Sequence, residues 1–146
     1  MTLNDVAQDI KTRLVDAATR RKSALHTLIV GTADGDMRVM VLREFDVEKH
    51  RLRFHTDSRS PKVSVVAGDP SVSILAYDPE AKVQIRMRGK ARVESIGEVA
   101  DAAWNASTPF AKRCYLAENA PSEVCETPTS GLPDWAEGIV PTEEQL

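Results

Sequence analysis

MRVMVLREFDVEKHRLRFHTDSRSPK, residues 37–62, reads as two strands that empty into a helix start. The first strand carries Arg38. Asp46–Val47–Glu48–Lys49–His50 turns the chain, and Arg51 to Thr56 returns as the second strand. Asp57–Ser58–Arg59–Ser60–Pro61–Lys62 follows. Ser suits a helix N-cap and Pro is tolerated at the first helical position. The helix is expected to run through Val63, Val65 and Val66 and to stop at Gly68–Asp69–Pro70. Free backbone N–H groups and the helix dipole favour an anion at such a start. Arg59 and Lys62 add positive charge, and Ser58 and Ser60 add hydroxyl donors. The stretch alone fits a phosphate pocket or a solvated loop with an ordinary cap. The rest of the chain tilts the reading towards the pocket.

Upstream, Ala33–Asp34–Gly35–Asp36 separates two β-rich runs, Leu25 to Thr32 and Met37 to Phe45. Asp-Gly between such runs is a strong hairpin cue. His26, near the start of the first run, is expected to be a packed residue. Leu3, Val6, Ala7, Ile10 and Leu14 recur at helical spacing, so an amphipathic helix is expected over 3–21. Arg20–Arg21–Lys22 would place cations at its C-terminus, where the dipole favours them.

Downstream, Ser71 to Tyr77 reads as a strand and Asp78–Pro79–Glu80–Ala81 as a turn. From Lys82 to Val93, apolar residues alternate strictly with Lys82, Gln84, Arg86, Arg88, Lys90 and Arg92. A period of two over that length argues a long strand with one apolar face. Gly89 is expected to mark a bulge or bend. Lys90 and Arg92 read as solvated charge, whereas Gln84 and Arg86 are candidate ligand contacts. Five strands with short turns suggest a meander closing into a small barrel. Helices are expected over Ile96–Ala106 and Pro109–Leu116, with Trp104 and Tyr115 packing them onto the barrel. From Asn119 the chain is rich in proline and acid, and little regular structure is expected.

One domain, 1–146, fits this length, with an N-terminal helix in 1–22 and a tail at 119–146. Residues 1–36 carry five basic and five acidic groups, net zero. Residues 37–92 carry twelve and seven, net +5, and residues 93–146 carry two and ten, net −8. A local basic surface in an acidic protein suits a small anion better than nucleic acid, which calls for a broad basic face. The 5% aromatic share argues the same way, because single-strand binders stack bases on aromatic rings. Cys114 and Cys125 match no metal spacing and read as free thiols of a reducing, cytoplasmic compartment. No apolar run spans a bilayer, so no membrane partner is expected. Three scattered histidines make no metal site. No nucleophile–base spacing, Gly-rich dinucleotide fingerprint or P-loop occurs. A catalyst built from this chain would need a bound cofactor to carry the chemistry.

Arg38–Val39–Met40–Val41–Leu42–Arg43, Phe54–His55–Thr56, Ser60–Pro61–Lys62, Asp69–Pro70, Gln84 and Gly89 occur in an order and spacing that resemble one family. It is the pyridoxamine 5′-phosphate oxidase-like family of FMN-binding split barrels, and the resemblance covers roughly residues 24–116. It implies a mainly β fold with flanking helices, a split β-barrel, and a homodimer with FMN at the subunit interface. By the same resemblance Arg38, Ser60 and Lys62 would bind the FMN phosphate. Main chain around Val39, Met40 and Val41 would line the flavin ring with His55 and Thr56, and Gln84 would reach the ring edge. Many relatives have a basic residue where Pro61 stands, and Arg59 would compensate. The Tyr-Arg-Ser set that holds substrate phosphate in pyridoxamine phosphate oxidases is not reproduced between Trp104 and Arg113. No match to their C-terminal Arg and His is read before Leu146, and either the last barrel strand is expected to be missing or the tail is unusual. The implied function is therefore an FMN-binding flavoprotein and flavin-dependent oxidoreductase of unassigned substrate and catalytic residues. The alternative is a non-catalytic module holding FMN, haem or another anionic cofactor.

Overall fold

The computed structural model describes residues 1–94 and 104. The chain forms two compact units, one of Met1–His55 with Asp69–Ala91, the other of Thr56–Gly68 with Arg92–Leu146.

The first unit opens with helix α1, Leu3–Thr19. Thr2 and Asp5 cap it reciprocally: Asp5 N–H donates to Thr2 Oγ1 at 3.1 Å, and Thr2 N–H to Asp5 Oδ2 at 2.8 Å. Two orphan donors are satisfied together. Arg20 turns extended and ends the helix, so the expected cations lie beyond its last turn. The helix buries Leu14 and Ala17 against Leu28, Leu42, Ala76 and Ile85 of the sheet. Each fully buried leucine contributes about 1.5–3 kcal/mol. His26 is half-buried, and its Nδ1 lies 2.7 Å from Ala17 O, tying the helix end to the first strand. This is the packed role expected of it.

Five strands form one antiparallel sheet: β1 Thr27–Thr32, β2 Met37–Asp46, β3 Arg51–Phe54, β4 Ser71–Asp78 and β5 Val83–Lys90. Their order is β3-β2-β1-β4-β5, which corrects the expected meander. Strand β4 pairs with β1 rather than with β3. Once β2 has taken one edge of β1 the other edge remains, and Ile74 and Ala76 continue the apolar face there. The β1–β2 turn needs Gly35, whose φ of +86° is a conformation L side chains rarely adopt.

The irregularity expected at Gly89 is absent, since the β4–β5 ladder runs unbroken through Val72↔Gly89 to Ser71↔Lys90. The register shifts instead between Leu42 and Glu44, which leaves Arg43 on a bulge opposite β3. Strand β5 is shorter than the alternation suggested, ending at Lys90. Its inward residues, Val83, Ile85 and Met87, are as read from the sequence.

In the second unit, helix α2 spans Pro61–Gly68 as expected. Trp104 is helical. The other residues of the two later helices, and the tail, lie outside the described residues. Among the described residues no helix is long and apolar enough to cross a membrane.

Candidate functional site

The second unit contains the loop and helix start singled out in the sequence. Asp57 is nearly buried and organises the turn. Its Oδ1 accepts from Arg59 N–H and Arg59 Nε–H, both at 2.9 Å, and its carbonyl accepts from Ser60 N–H at 3.0 Å. The Arg59 hydrogen bonds hold the Asp57 carboxyl below the usual carboxylate range. Arg59 is thus committed to a carboxylate, and Lys62 is the second cation of the loop. Ser60, 3% exposed, sits just before α2, and its Oγ accepts from Lys62 Nζ at 2.9 Å. Its carbonyl accepts from Val63 N–H at 3.0 Å. The first turn of α2 contains no acidic residue. A buried serine, a lysine and a helix N-terminus together favour an anion by hydrogen bonding and by charge. Thr56, half-buried, begins this unit.

The remaining candidates lie in the first unit. Arg38 pairs with Val30 across the ladder and shares its inward face. Its Nη1 donates to Thr32 Oγ1 at 3.0 Å and Val30 O at 3.3 Å, and its Nη2 to Asp36 Oδ2 at 3.0 Å. Met40 lies on the same inward face opposite Leu28. Val39 and Val41 lie on the opposite, outer face, where Val39 is 66% exposed. Gln84 pairs with Tyr77 on that outer face. The face also carries Ile29, Met37 and Leu75, and a groove of about 480 Å³ runs along it beside Arg86 and Arg88. At the groove's floor a Cβ on Gly31 would approach Met37 Cγ to 3.4 Å, so the glycine keeps the floor low.

His55 follows β3. Its Nε2 is buried and has no hydrogen-bond partner. Burial lowers the affinity of the ring for a proton, and the charges of Arg43 and Arg53 lower it further. The ring is therefore neutral near pH 7, with one nitrogen able to donate and the other to accept. Buried polar atoms are nearly always paired, so an orphan in a half-open position is open to a water or to a ligand. Arg53 Nε is a second such orphan, although Arg53 Nη1 is 3.0 Å from Glu44 Oε2. Arg43 ends the sequence motif that begins at Arg38, but neither it nor Arg53 is a site candidate from the sequence. Their juxtaposition with His55 depends on the bulge, and no local pattern signals it.

Comparisons with known proteins bear on these residues. The sequence model of the pyridoxamine 5′-phosphate oxidase FMN-binding domain matches residues 6–95, a range that includes every candidate above. A crystal structure of a pyridoxamine 5′-phosphate oxidase-related, FMN binding protein from Nostoc punctiforme is similar in fold, with a TM-score of 0.66 at 24% identity. The likeness covers 96% of this chain and 78% of that one. No curated protein matches the sequence.

Proposed function

Since the chain belongs to the pyridoxamine 5′-phosphate oxidase FMN-binding domain family, we propose that it binds FMN and works as a flavin-dependent oxidoreductase. The observation that carries the reading is the helix start at Ser60–Lys62, a buried hydroxyl and a cation at a helix N-terminus, lying inside the matched range. The orphaned His55 Nε2 supports it, because a ring rich in donors and acceptors would satisfy that atom.

Ser60, Lys62 and Arg59, with Arg38, are the proposed phosphate contacts. The main chain of Val39, Met40 and Val41, with His55, Thr56 and Gln84, is proposed for the flavin ring. Bound FMN would supply the two-electron hydride chemistry of the reaction. His55, neutral and half-buried, would hold a hydrogen bond to the ring and exclude water from it. A homodimer is part of the reading: the outer sheet face exposes Ile29, Met37, Val39 and Tyr77, apolar surface that a second copy would cover. A cytoplasmic location fits the thiol reading of Cys114 and Cys125.

Flavin bands in the absorbance spectrum of the purified protein, or uptake of added FMN, test the binding. FMN should bind at least about tenfold better than riboflavin, since a charge-assisted contact contributes about 1.5–3 kcal/mol. Equal affinities would overturn the phosphate site. Turnover of a reduced pyridine nucleotide or an amine separates the oxidoreductase from a non-catalytic FMN module. A monomer mass with cofactor bound would remove the interface from the reading.

A further inference from the structure

The β1–β2 turn contains a relay that neither the hairpin nor simple charge pairing requires. Thr32 is buried, and its Oγ1 lies 2.6 Å from Asp34 Oδ1 and 3.0 Å from Arg38 Nη1. A hydroxyl has one proton, a carboxylate only accepts, and a guanidinium only donates. The proton is therefore given to Asp34, and a lone pair of Thr32 faces Arg38. Asp34 is itself fixed by Asp36 N–H at 3.2 Å, and the Thr32 bond leads the causes that hold its carboxyl below the usual range. Arg38 is gripped on Nη1 by Thr32 and by Val30 O, and on Nη2 by Asp36. Three of its five N–H groups are thereby used. Its Nε–H and one Nη2–H remain, and a guanidinium whose plane is fixed can offer two such groups to phosphate oxygens together.

We infer that Thr32, aimed by Asp34, is a positioning residue that sets the guanidinium plane of Arg38 for phosphate recognition. This rests on the FMN reading. Asp36 neutralises the cation, whereas Thr32 and Val30 O orient it without cancelling its charge. The specificity for a phosphorylated flavin over its dephosphorylated form thus depends on a hydroxyl that touches no ligand.

The test compares FMN and riboflavin affinities of the full-length chain by flavin fluorescence titration, with apo thermal melts alongside. Thr32→Val removes the hydroxyl at nearly constant volume. It should lower the FMN-over-riboflavin ratio roughly three- to tenfold, the loss of part of a charge-assisted contact, and leave riboflavin affinity unchanged. Thr32→Ser keeps the hydroxyl and should restore the ratio. Asp34→Asn should give an intermediate loss, and it supplies the same readout if Thr32→Val does not fold, because Asp34 is exposed. A Thr32→Val ratio equal to wild type overturns the inference. So does an equal loss for both ligands, or a Thr32→Ser variant as poor as Thr32→Val. A wild-type protein without any preference for FMN would sink the phosphate reading itself. Preference present in wild type and retained in Thr32→Val sinks only the positioning role.

Discussion

Arg38 and Arg43 lie five residues apart on strand β2 and have opposite circumstances. Arg38 is 18% exposed in its side chain and bonded to Val30, Thr32 and Asp36. Arg43 stands on the bulge, exposed, with no hydrogen bond or ion pair among the described residues. It acts on His55 through space, by charge alone. A cation held by protein acceptors stabilises the fold and is fixed in orientation, and Arg38 keeps its Nε–H and one Nη2–H for a ligand. A cation without acceptors contributes little to stability and stays available. The strand carries one of each because the regular ladder near Arg38 puts acceptors within reach, while the bulge turns Arg43 away from them.

The largest expected effect falls on the arginine held by the fold. Arg38→Ala leaves Thr32 Oγ1 and Val30 O facing an empty inward position. It should cost the apo protein about 2–3 kcal/mol, with the Asp36 pair counted lightly because that carboxylate is well exposed. It should also weaken FMN at least about tenfold, because a guanidinium can grip two phosphate oxygens. An apo melt equal to wild type would erase the distinction drawn between the two arginines.

Lys62→Ala comes next and reverses the pattern. A cation in the first helical turn opposes the dipole unless an anion is present. FMN affinity should fall by about tenfold, the value of one charge-assisted contact. The apo melt should fall less than for Arg38→Ala, since the relieved repulsion from the helix dipole offsets part of what the contacts of the lysine, the bond to Ser60 among them, contribute. A sharply lowered apo melt with FMN affinity intact would make Lys62 structural, like Arg38 in part.

Arg43→Ala should change apo stability by less than about 0.5 kcal/mol, as for surface substitutions away from special features. Its signature is elsewhere: the His55 ring should titrate at higher pH, nearer its ordinary value, once that charge is removed. Proton NMR of the histidine ring measures this. An unmoved titration would mean that burial alone sets the ring.

The smallest effect is the pH dependence carried by His55. Its folded pKa lies below the unfolded value of about 6.5. Between the two values the unfolded chain binds more protons than the folded one, so stability rises with pH through this window. The contribution is fully present above about pH 6.5 and is lost as pH falls towards the folded pKa. His55→Gln should flatten the slope of chemical-denaturation stability below about pH 6.5. A slope identical to wild type would assign it to other groups.

Local signals in the sequence were enough for most elements. The alternation after Lys82 specified a one-sided strand, because side chains on a pleated strand point to alternate faces. Asp34–Gly35 specified the hairpin, because only glycine adopts its φ without strain. Ser60–Pro61 specified the start of α2, because proline's fixed φ and missing N–H suit the first helical position. The charge surplus of residues 37–92 falls on the stretch that contains the candidate anion site. Each of these effects acts within a few residues, so each can be read without knowing the neighbours in space.

Tertiary structure alone decided which strand lies beside β1, where the ladder slips, and what each cation meets. The pairing of β4 with β1 joins residues forty or more positions apart, from Thr32↔Val72 to Ile29↔Leu75, and periodicity says nothing about partners. The bulge at Arg43 arises from matching β2 to β3, and Gly89, the residue with the local signature of a bulge, sits in an unbroken ladder. Arg38, Arg43 and Arg59 look alike as letters. Thr32 and Asp36 hold and orient the first, the second stands exposed on the bulge, and Asp57 pairs with the third. A side chain's charge is fixed by its covalent structure, but whether that charge is spent inside the protein depends on acceptors that only folding brings within 3 Å or so.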